Sequence, residues 1–347
     1  MAFPDSDSEH TENRAENRTA DFPRTGGQLS PGDLWPSGHR SGFVAVVGSP
    51  NVGKSTLVNA LVEQKVAIVS PKPQTTRHRM LAILTREEAQ IVFMDTPGLH
   101  KPLHLLGRYM VEGAHGAIAE ADAILWLADA THEPTGEDRL VAQALATAGS
   151  VPIALLINKV DLVAENRTAD SPSDERVLGE RQQHYHALLE VAAVLPISAT
   201  TGKGLDGVLS WLLGILPVGP RYYPEDQVTD REERFLAAEL VREQALHFLR
   251  EEVPHALTVS VDEFKERANG VAYIAATIYV ERDSQKGIVI GAAGATLKAI
   301  STAARKEMEL ALDRPVYLEL WVKVRRHWRQ DQKHLRQLGY ATHRRDP

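Results

Sequence analysis

The sequence has 347 residues, 43% of them hydrophobic and 24% charged, with a formal net charge of −7. There is no cysteine, which excludes disulfides and thiolate metal sites, and no uninterrupted apolar run of about 18 residues, so no transmembrane helix is expected. The acidic balance argues against a bulk nucleic-acid binder, yet residues 321–347 carry eight Lys or Arg against two acids. A basic end on an acidic protein points to a local anionic partner, although a solvated helix face gives the same pattern.

Residues 1–40 are polar, aperiodic and Pro/Gly-bearing, the composition of a disordered tail. They lack a basic start followed by an apolar core, so no secretory signal is expected and the chain is placed in the cytoplasm. The string AENRTAD occurs at 15–21 and again at 164–170, a spacing that fits no repeat fold.

From 41 to 216, short apolar runs alternate with amphipathic stretches such as 54–63, 137–148 and 205–216. The runs are FVAVVG, HRMLAIL, QIVFMD, AILWLAD, PIALLIN and VLPIS. Several are apolar on both faces, as strands covered by helices must be. The expectation is an α/β domain, a mostly parallel sheet with helices on both faces. Only TREEA separates HRMLAIL from QIVFMD, too short for a crossover helix, so this pair is expected to be an antiparallel hairpin.

Residues 217–233, with PVGPRYYPEDQVTD, read as a linker. Residues 234–330 follow the order helix, strand, strand, helix, helix, strand, a small α+β domain, and 331–347 are expected to form a basic tail. Trp126, Trp211 and Trp321 fall in apolar patterns and are expected in the core. Trp328, among Arg and Gln, either stacks on a base or packs beneath basic stems. Two complete domains suit a monomer.

The first apolar run ends in GSPNVGKST, residues 48–56, which fits G-x-x-x-x-G-K-[ST] between a strand and a helix. Gly48 and Gly53 let the backbone turn tightly and approach phosphate. The loop between them is Ser49, Pro50, Asn51 and Val52, and its N–H groups, which Pro50 lacks, turn inward as an anion nest. The helix that begins near Lys54 adds its dipole. Lys54 neutralises the β- and γ-phosphates, and Ser55, next to Thr56, offers a hydroxyl to Mg²⁺.

The later motifs sit at strand ends. In DTPG, Asp95 can hold Mg²⁺ through water and Gly98 can donate its N–H to a γ-phosphate, with Thr96 and Pro97 between them. The loop containing Gln74, Thr75, Thr76, Arg77 and His78 suits a switch. A threonine there, Thr76, would reach Mg²⁺ only when the γ-phosphate is present. In NKVD, Asp161 can accept from guanine N1–H and the N2 amine, a pair of donors that adenine lacks. Asn158 can address the O6/N7 edge, the Lys159 stem can cover the ring, and backbone amides at Ser198 and Ala199 can reach O6. His100 and His104 are four apart, but no third metal ligand is evident.

GSPNVGKST, QTTRH, DTPG, NKVD and SA are similar to the five guanine-nucleotide motifs of the translation-factor-related GTPases. SPKPQTTRHR, DTPGLHKP, YYPEDQVTD and VERDSQKGIVIG resemble the bacterial ribosome-assembly GTPases of the Era type, over roughly residues 41–330. The resemblance implies a GTPase that converts GTP to GDP and phosphate, joined to a type-II KH domain. The implied partners are the 3′ end of 16S ribosomal RNA and the 30S subunit, with peripheral association at the inner membrane. It also implies K⁺ near the phosphates, bound in part by Asn51. A membrane-peripheral or signalling GTPase without specific rRNA binding is the alternative.

Two departures stand out. Leu99 occupies the place where Ras-like proteins carry a water-orienting glutamine, so intrinsic turnover is expected to be slow, on the order of 10⁻⁴–10⁻³ per second. The GxxG loop, Gly291, Ala292, Ala293 and Gly294, would clamp the backbone of about four unpaired nucleotides. Loops of this type usually carry a lysine between the glycines, and two alanines here remove one phosphate contact. Lys286, Gly287 and Ile290 precede the loop and Lys298 follows it. Lys323, Arg325 and Arg326 can meet further phosphates.

Overall fold

The computed structural model describes residues 36, 38–165 and 174–340. Most of the expected N-terminal tail, the second AENRTAD copy from 166 onward and residues 341–347 lie outside the described residues.

Six strands form the first sheet: β1 (Arg40–Gly48), β2 (Met80–Thr85), β3 (Ala89–Asp95), β4 (Ala123–Asp129), β5 (Ile153–Asn158) and β6 (Ala193–Pro196). Their order is β2-β3-β1-β4-β5-β6. All pairs are parallel except β2 with β3, the expected hairpin. Alternate residues of β1 feed two cores. Phe43, Ala45 and Val47 face Trp126 and Tyr185 under α2 (Leu105–Glu120), α3 (Gly136–Leu145) and α5 (Asp174–His186). Val44 and Val46 face Leu57, Leu61 and Leu212 of α1 (Lys54–Val62) and α6 (Leu205–Ile215). A short helix, α4 (Val160–Glu165), follows β5. Burial on both faces explains why these strands read as continuous apolar runs.

Residues 217–230 do not behave as a free linker. The Tyr222 and Tyr223 amides donate to Gln90 Oε1 at 2.7 and 2.9 Å, and the Leu81 amide donates to Asp230 Oδ1 at 2.9 Å. The segment is strapped along the β2 edge because β2 otherwise presents unpaired backbone groups.

The second domain comprises α7 (Glu233–Phe248), α8 (Val253–Ala256), β7 (Thr258–Glu266), β8 (Ala272–Val280), α9 (Asp283–Ile290), α10 (Ala295–Leu312) and β9 (Val316–Val324). The sheet order is β7-β8-β9, with β8 and β9 parallel. The expected order of elements is present. The first ten residues of the expected basic tail are not a tail. They include α11 (Gln332–Gln337), and Leu335 and Tyr340 pack with Trp328 against Leu106 and Met110 of α2. Trp328 is fully buried and donates its indole N–H to Ala256 O at 2.8 Å. Trp126 is also buried, but Trp321 is 58% exposed, contrary to expectation. In β9 it shares the open sheet face with Tyr317 and Lys323, because alternate strand residues face opposite ways.

Candidate nucleotide and RNA sites

The loop after β1 surrounds a cleft of about 320 Å³, lined by Pro50, Asn51, Gly53, Lys54, Ser55 and Thr56. Gly53 has φ 97°, in the left-handed region, and a Cβ there would lie 2.5 Å from Asn158 Nδ2. Only glycine satisfies both constraints. Lys54 is buried, and its Nζ donates to the carbonyls of Gly48 at 3.1 Å and Ser49 at 2.8 Å. Burial pulls its pKa down to about 8, against the opposing charges of Asp95, Glu137 and Asp138. A desolvated ammonium held by two neutral carbonyls gains strongly from a phosphate oxygen.

Asp138 lies outside the set expected from the motifs. Its carboxylate accepts from Ser49 Oγ at 2.8 Å and also closes the capping box that starts α3 with Thr135. The Thr-x-x-Asp pattern is the signal the sequence offers for it. Asn51, with φ 63°, donates from Nδ2 to Pro71 O at 3.2 Å, which ties the phosphate loop to the switch loop.

Ser55, Thr76 and Asp95 converge. Ser55 Oγ lies 2.6 Å from Thr76 Oγ1 and donates to Asp95 Oδ2 at 2.7 Å, and Thr76 Oγ1 reaches the same oxygen at 3.4 Å. Asp95 Oδ1 is buried without a hydrogen-bond partner among the described residues. Burial pushes the Asp95 pKa up to about 6, despite the Ser55 hydrogen bond and the Lys54 charge. Two hydroxyls and a carboxylate supply the hard oxygen donors that Mg²⁺ takes, so this set fits the ion.

The rest of DTPG is mostly structural. Thr96 Oγ1 donates to Val46 O at 2.7 Å, Pro97 is buried, and the Leu99 amide meets Gly48 O at 3.3 Å. Gly98 lines the cleft. His100 joins the DTPG turn to the switch loop, with Nδ1 2.8 Å from Gly98 O and Nε2 3.1 Å from Gln74 Nε2. The carbonyl fixes the proton on Nδ1, so Nε2 accepts from Gln74.

At the base end, Asp161 lines the cleft, and its Oδ1 is buried without a partner among the described residues. Lys159, with φ 68°, donates to Asp129 Oδ2 at 2.5 Å and lays its stem along the cleft. Asn158 lines the same cleft and is also bonded inward. Its Nδ2 donates to Val52 O at 2.7 Å and its Oδ1 accepts from the Ala199 amide at 2.9 Å. The Ser198 amide donates to Lys203 O at 2.9 Å. Asn158 therefore braces the phosphate loop against the 198–199 turn while it and Ala199 line the cleft, and its second Nδ2 hydrogen and second Oδ1 lone pair are not used by these two bonds. Asp161 carries the base-directed acceptor.

Of the switch loop, Gln74, Thr75 and Thr76 line the cleft. Arg77 and His78 do not join the nucleotide site as expected. Arg77 enters the second domain, donating to Leu257 O at 2.6 Å. His78 stacks on Tyr340 at 4.1 Å between centroids, with Phe235 edge-on at 5.3 Å. Burial lowers the His78 pKa to about 4.

The GAAG loop is an exposed turn between α9 and α10. Gly291 has φ 73°, and a Cβ there would lie 2.2 Å from Thr296 Oγ1. Ala292 and Ala293 are exposed, and Ala293 adopts φ 49°. Gly287 and Lys298 are exposed, Lys286, Ile290 and Gly294 half-buried. Ile288, 50% exposed on α9, adds an apolar contact beside the loop that the sequence reading did not single out. On β9 Lys323 is exposed. The Arg325 guanidinium lies 4.3 Å from the Tyr279 ring centroid, and exposed Arg326 is 3.7 Å from Asp283.

Residues 43–159 match the family described as 50S ribosome-binding GTPase, and residues 252–329 match the KH domain family. A solved structure of a point variant of Aquifex aeolicus Era bound to GDP·AlF4⁻ is 42% identical, covers 87% of this chain and 100% of that one, and has a TM-score of 0.81. A structure of Era in complex with MgGDPNP and nucleotides 1506–1542 of 16S ribosomal RNA is also 42% identical. It covers 88% of this chain and 100% of that one, with a TM-score of 0.81.

Proposed function

The chain belongs to the Era family of GTPases, and on that premise we propose that it is a GTP-driven switch that grips the 3′ end of 16S ribosomal RNA during small-subunit assembly. The observation that carries the nucleotide half is a pair of buried carboxylate oxygens, Asp95 Oδ1 and Asp161 Oδ1, without partners among the described residues. Asp161 lines the cleft with Lys54, and Asp95 meets it through the cleft residues Ser55 and Thr76. Asp95 asks for a metal ion beside phosphates and Asp161 for the paired donors of guanine.

The protein hydrolyses GTP to GDP and phosphate. Lys54 and the loop amides hold the β- and γ-phosphates, and Asp161 selects guanine. Ser55, Thr76 and Asp95 would hold Mg²⁺, which would supply charge neutralisation on the phosphate oxygens. Leu99 is buried and apolar and cannot orient the attacking water, so unaided turnover is slow. A K⁺ ion bound in part by Asn51 belongs to the same reading, and equal turnover in Na⁺ and K⁺ buffers would remove it.

The RNA half rests on the KH domain and its exposed GAAG turn, where the backbone can approach a phosphate chain closely. The family that matches residues 43–159 is described by the large subunit, but that match covers the first domain alone. The 16S complex matches both domains, so the small-subunit RNA is preferred. The test is competition at one fixed salt concentration between a 16S 3′-end oligonucleotide and a scrambled one. It uses full-length protein and the variant Ala292→Asp/Ala293→Asp. The expected result is preference for the 3′-end sequence, lost in the variant. Equal binding of both sequences, or binding to anionic vesicles that RNA does not displace, would overturn the RNA assignment.

A further inference from the structure

The switch loop lies between the two domains, and the second domain holds both its feet. At the first foot, Ile68 is buried in the KH core and the Val69 amide donates to Glu243 Oε1 at 2.9 Å. Lys65, just before it, donates to Glu243 at 2.7 Å and Glu307 at 2.6 Å. At the second foot, Arg77 is 3% exposed and spends its guanidinium on carbonyls around α8, the shortest contact being Leu257 O at 2.6 Å.

Between the feet, Ser70, Gln74, Thr75 and Thr76 line the nucleotide cleft. The Thr75 carbonyl accepts from Nη2 of Arg242 on α7. Arg242 is 1% exposed, and its guanidinium also engages both carboxylate oxygens of Glu239, with Nε to Oε1 at 2.8 Å. A guanidinium paired in this bidentate way is a rigid fork, so the second N–H of Nη2 points in a fixed direction, and Nη1 is buried without a partner among the described residues. Thr76 therefore stands between two residues that the KH domain fixes directly. Its hydroxyl is the one that meets Ser55 and Asp95.

Resting on the function proposed above, we propose that Arg242 is a positioning residue for GTP hydrolysis. It holds the Thr75 carbonyl so that the Thr76 hydroxyl is presented to the Mg²⁺ site. Arg242 lies on α7, which packs in one core with β7, β8, β9 and α10 of the second domain, so a movement of that domain that carries α7 acts on the switch loop. The same contact thus links the state of the RNA-binding domain to the state of the nucleotide site. GDP, which lacks the γ-phosphate, makes no use of Thr76, so its affinity is independent of this grip.

The experiment uses full-length wild type, Arg242→Gln and Arg242→Lys. It measures kcat and KM for GTP, affinity for a non-hydrolysable GTP analogue with Mg²⁺, affinity for GDP, and 3′-end RNA affinity in both nucleotide states. For Arg242→Gln the expected result is a fall of about 10- to 100-fold in kcat. The analogue should bind more weakly while GDP affinity holds, and the RNA preference between nucleotide states should shrink toward one. Lysine keeps the charge beside Glu239 but not the fork, so partial rescue is expected.

Should thermal melting show that Arg242→Gln is unfolded, Glu239→Gln/Arg242→Gln removes the uncompensated buried carboxylate and takes the same measurements. Unchanged kcat, analogue affinity and RNA preference in a folded variant would overturn the assignment. If wild type shows no nucleotide-dependent RNA preference, the switch reading fails. The kcat and the analogue-to-GDP affinity ratio then still decide the role of Arg242.

Discussion

The chain contains two glycine loops proposed to meet phosphates, and they are built in opposite ways. The 48–55 loop is enclosed. Asn158 braces it from one side and Asp138 from the other, and a desolvated lysine is stored inside it. The 291–294 loop is an open turn with two exposed alanines and no charge of its own. The first is a preorganised site for a small, highly charged ligand, in which most of the electrostatic cost is already met in the fold. The second offers backbone and shape, and leaves charge to dispersed residues such as Lys298 and Lys323. A single side chain should therefore matter far more in the first loop than in the second.

The largest expected effect is at Lys54. Lys54→Ala removes one partner of a buried charge contact, which costs about 2–5 kcal/mol in GTP affinity. Titration calorimetry checks this, and a loss below about threefold would show that the loop does not depend on its stored charge. Asp161→Asn comes next. It should weaken GTP by about 1–3 kcal/mol and improve binding of xanthine nucleotides, read by competition between the two bases.

The pH dependence follows from the two shifted groups. In the free protein Asp95, raised to about 6, is protonated below that pH, and MgGTP binding must expel the proton. Lys54, lowered to about 8, is neutral above that pH, and binding must take a proton up. MgGTP affinity should be highest between about pH 6 and 8 and fall by up to about tenfold per unit on either side. Calorimetry in buffers of different ionisation enthalpy should find proton release on the acid side and uptake on the alkaline side.

The smallest effect is in the open loop. Ala292→Lys adds one phosphate contact. It should tighten RNA binding a few-fold and steepen the salt dependence by about 0.7 in slope, without changing GTP affinity.

The nucleotide site is legible in the sequence wherever the chemistry is local. The phosphate loop, the acid at the end of β3 and the NKVD sequence after β5 each occupy a few consecutive residues next to a readable strand. The β2–β3 hairpin follows from loop length alone. What escapes depends on residues far apart in the chain. Asn158 is expected to face guanine and does line the cleft, but its bracing bonds to Val52 and Ala199, 106 and 41 residues away, are not readable from the motif. Arg77 and His78 sit in a contiguous switch motif, yet they leave it for Leu257 and Tyr340. Residues 331–340 read as a charged tail because Leu335 and Tyr340 are isolated in sequence. They become core only where α2 meets them. Trp321 is a different case. Tyr317, Glu319, Trp321 and Lys323 alternate along β9, and that two-residue period is already a sign of an open face.

The most direct test of the account is the affinity of full-length protein for a 16S 3′-end oligonucleotide, measured at one salt concentration. The protein is loaded first with a non-hydrolysable GTP analogue and Mg²⁺, then with GDP. Coupling of about 1–3 kcal/mol between the sites predicts binding about 5- to 150-fold tighter in the analogue state. Equal affinity in the two states would contradict the switch, leaving a GTPase and an RNA-binding domain on one chain with no link between them.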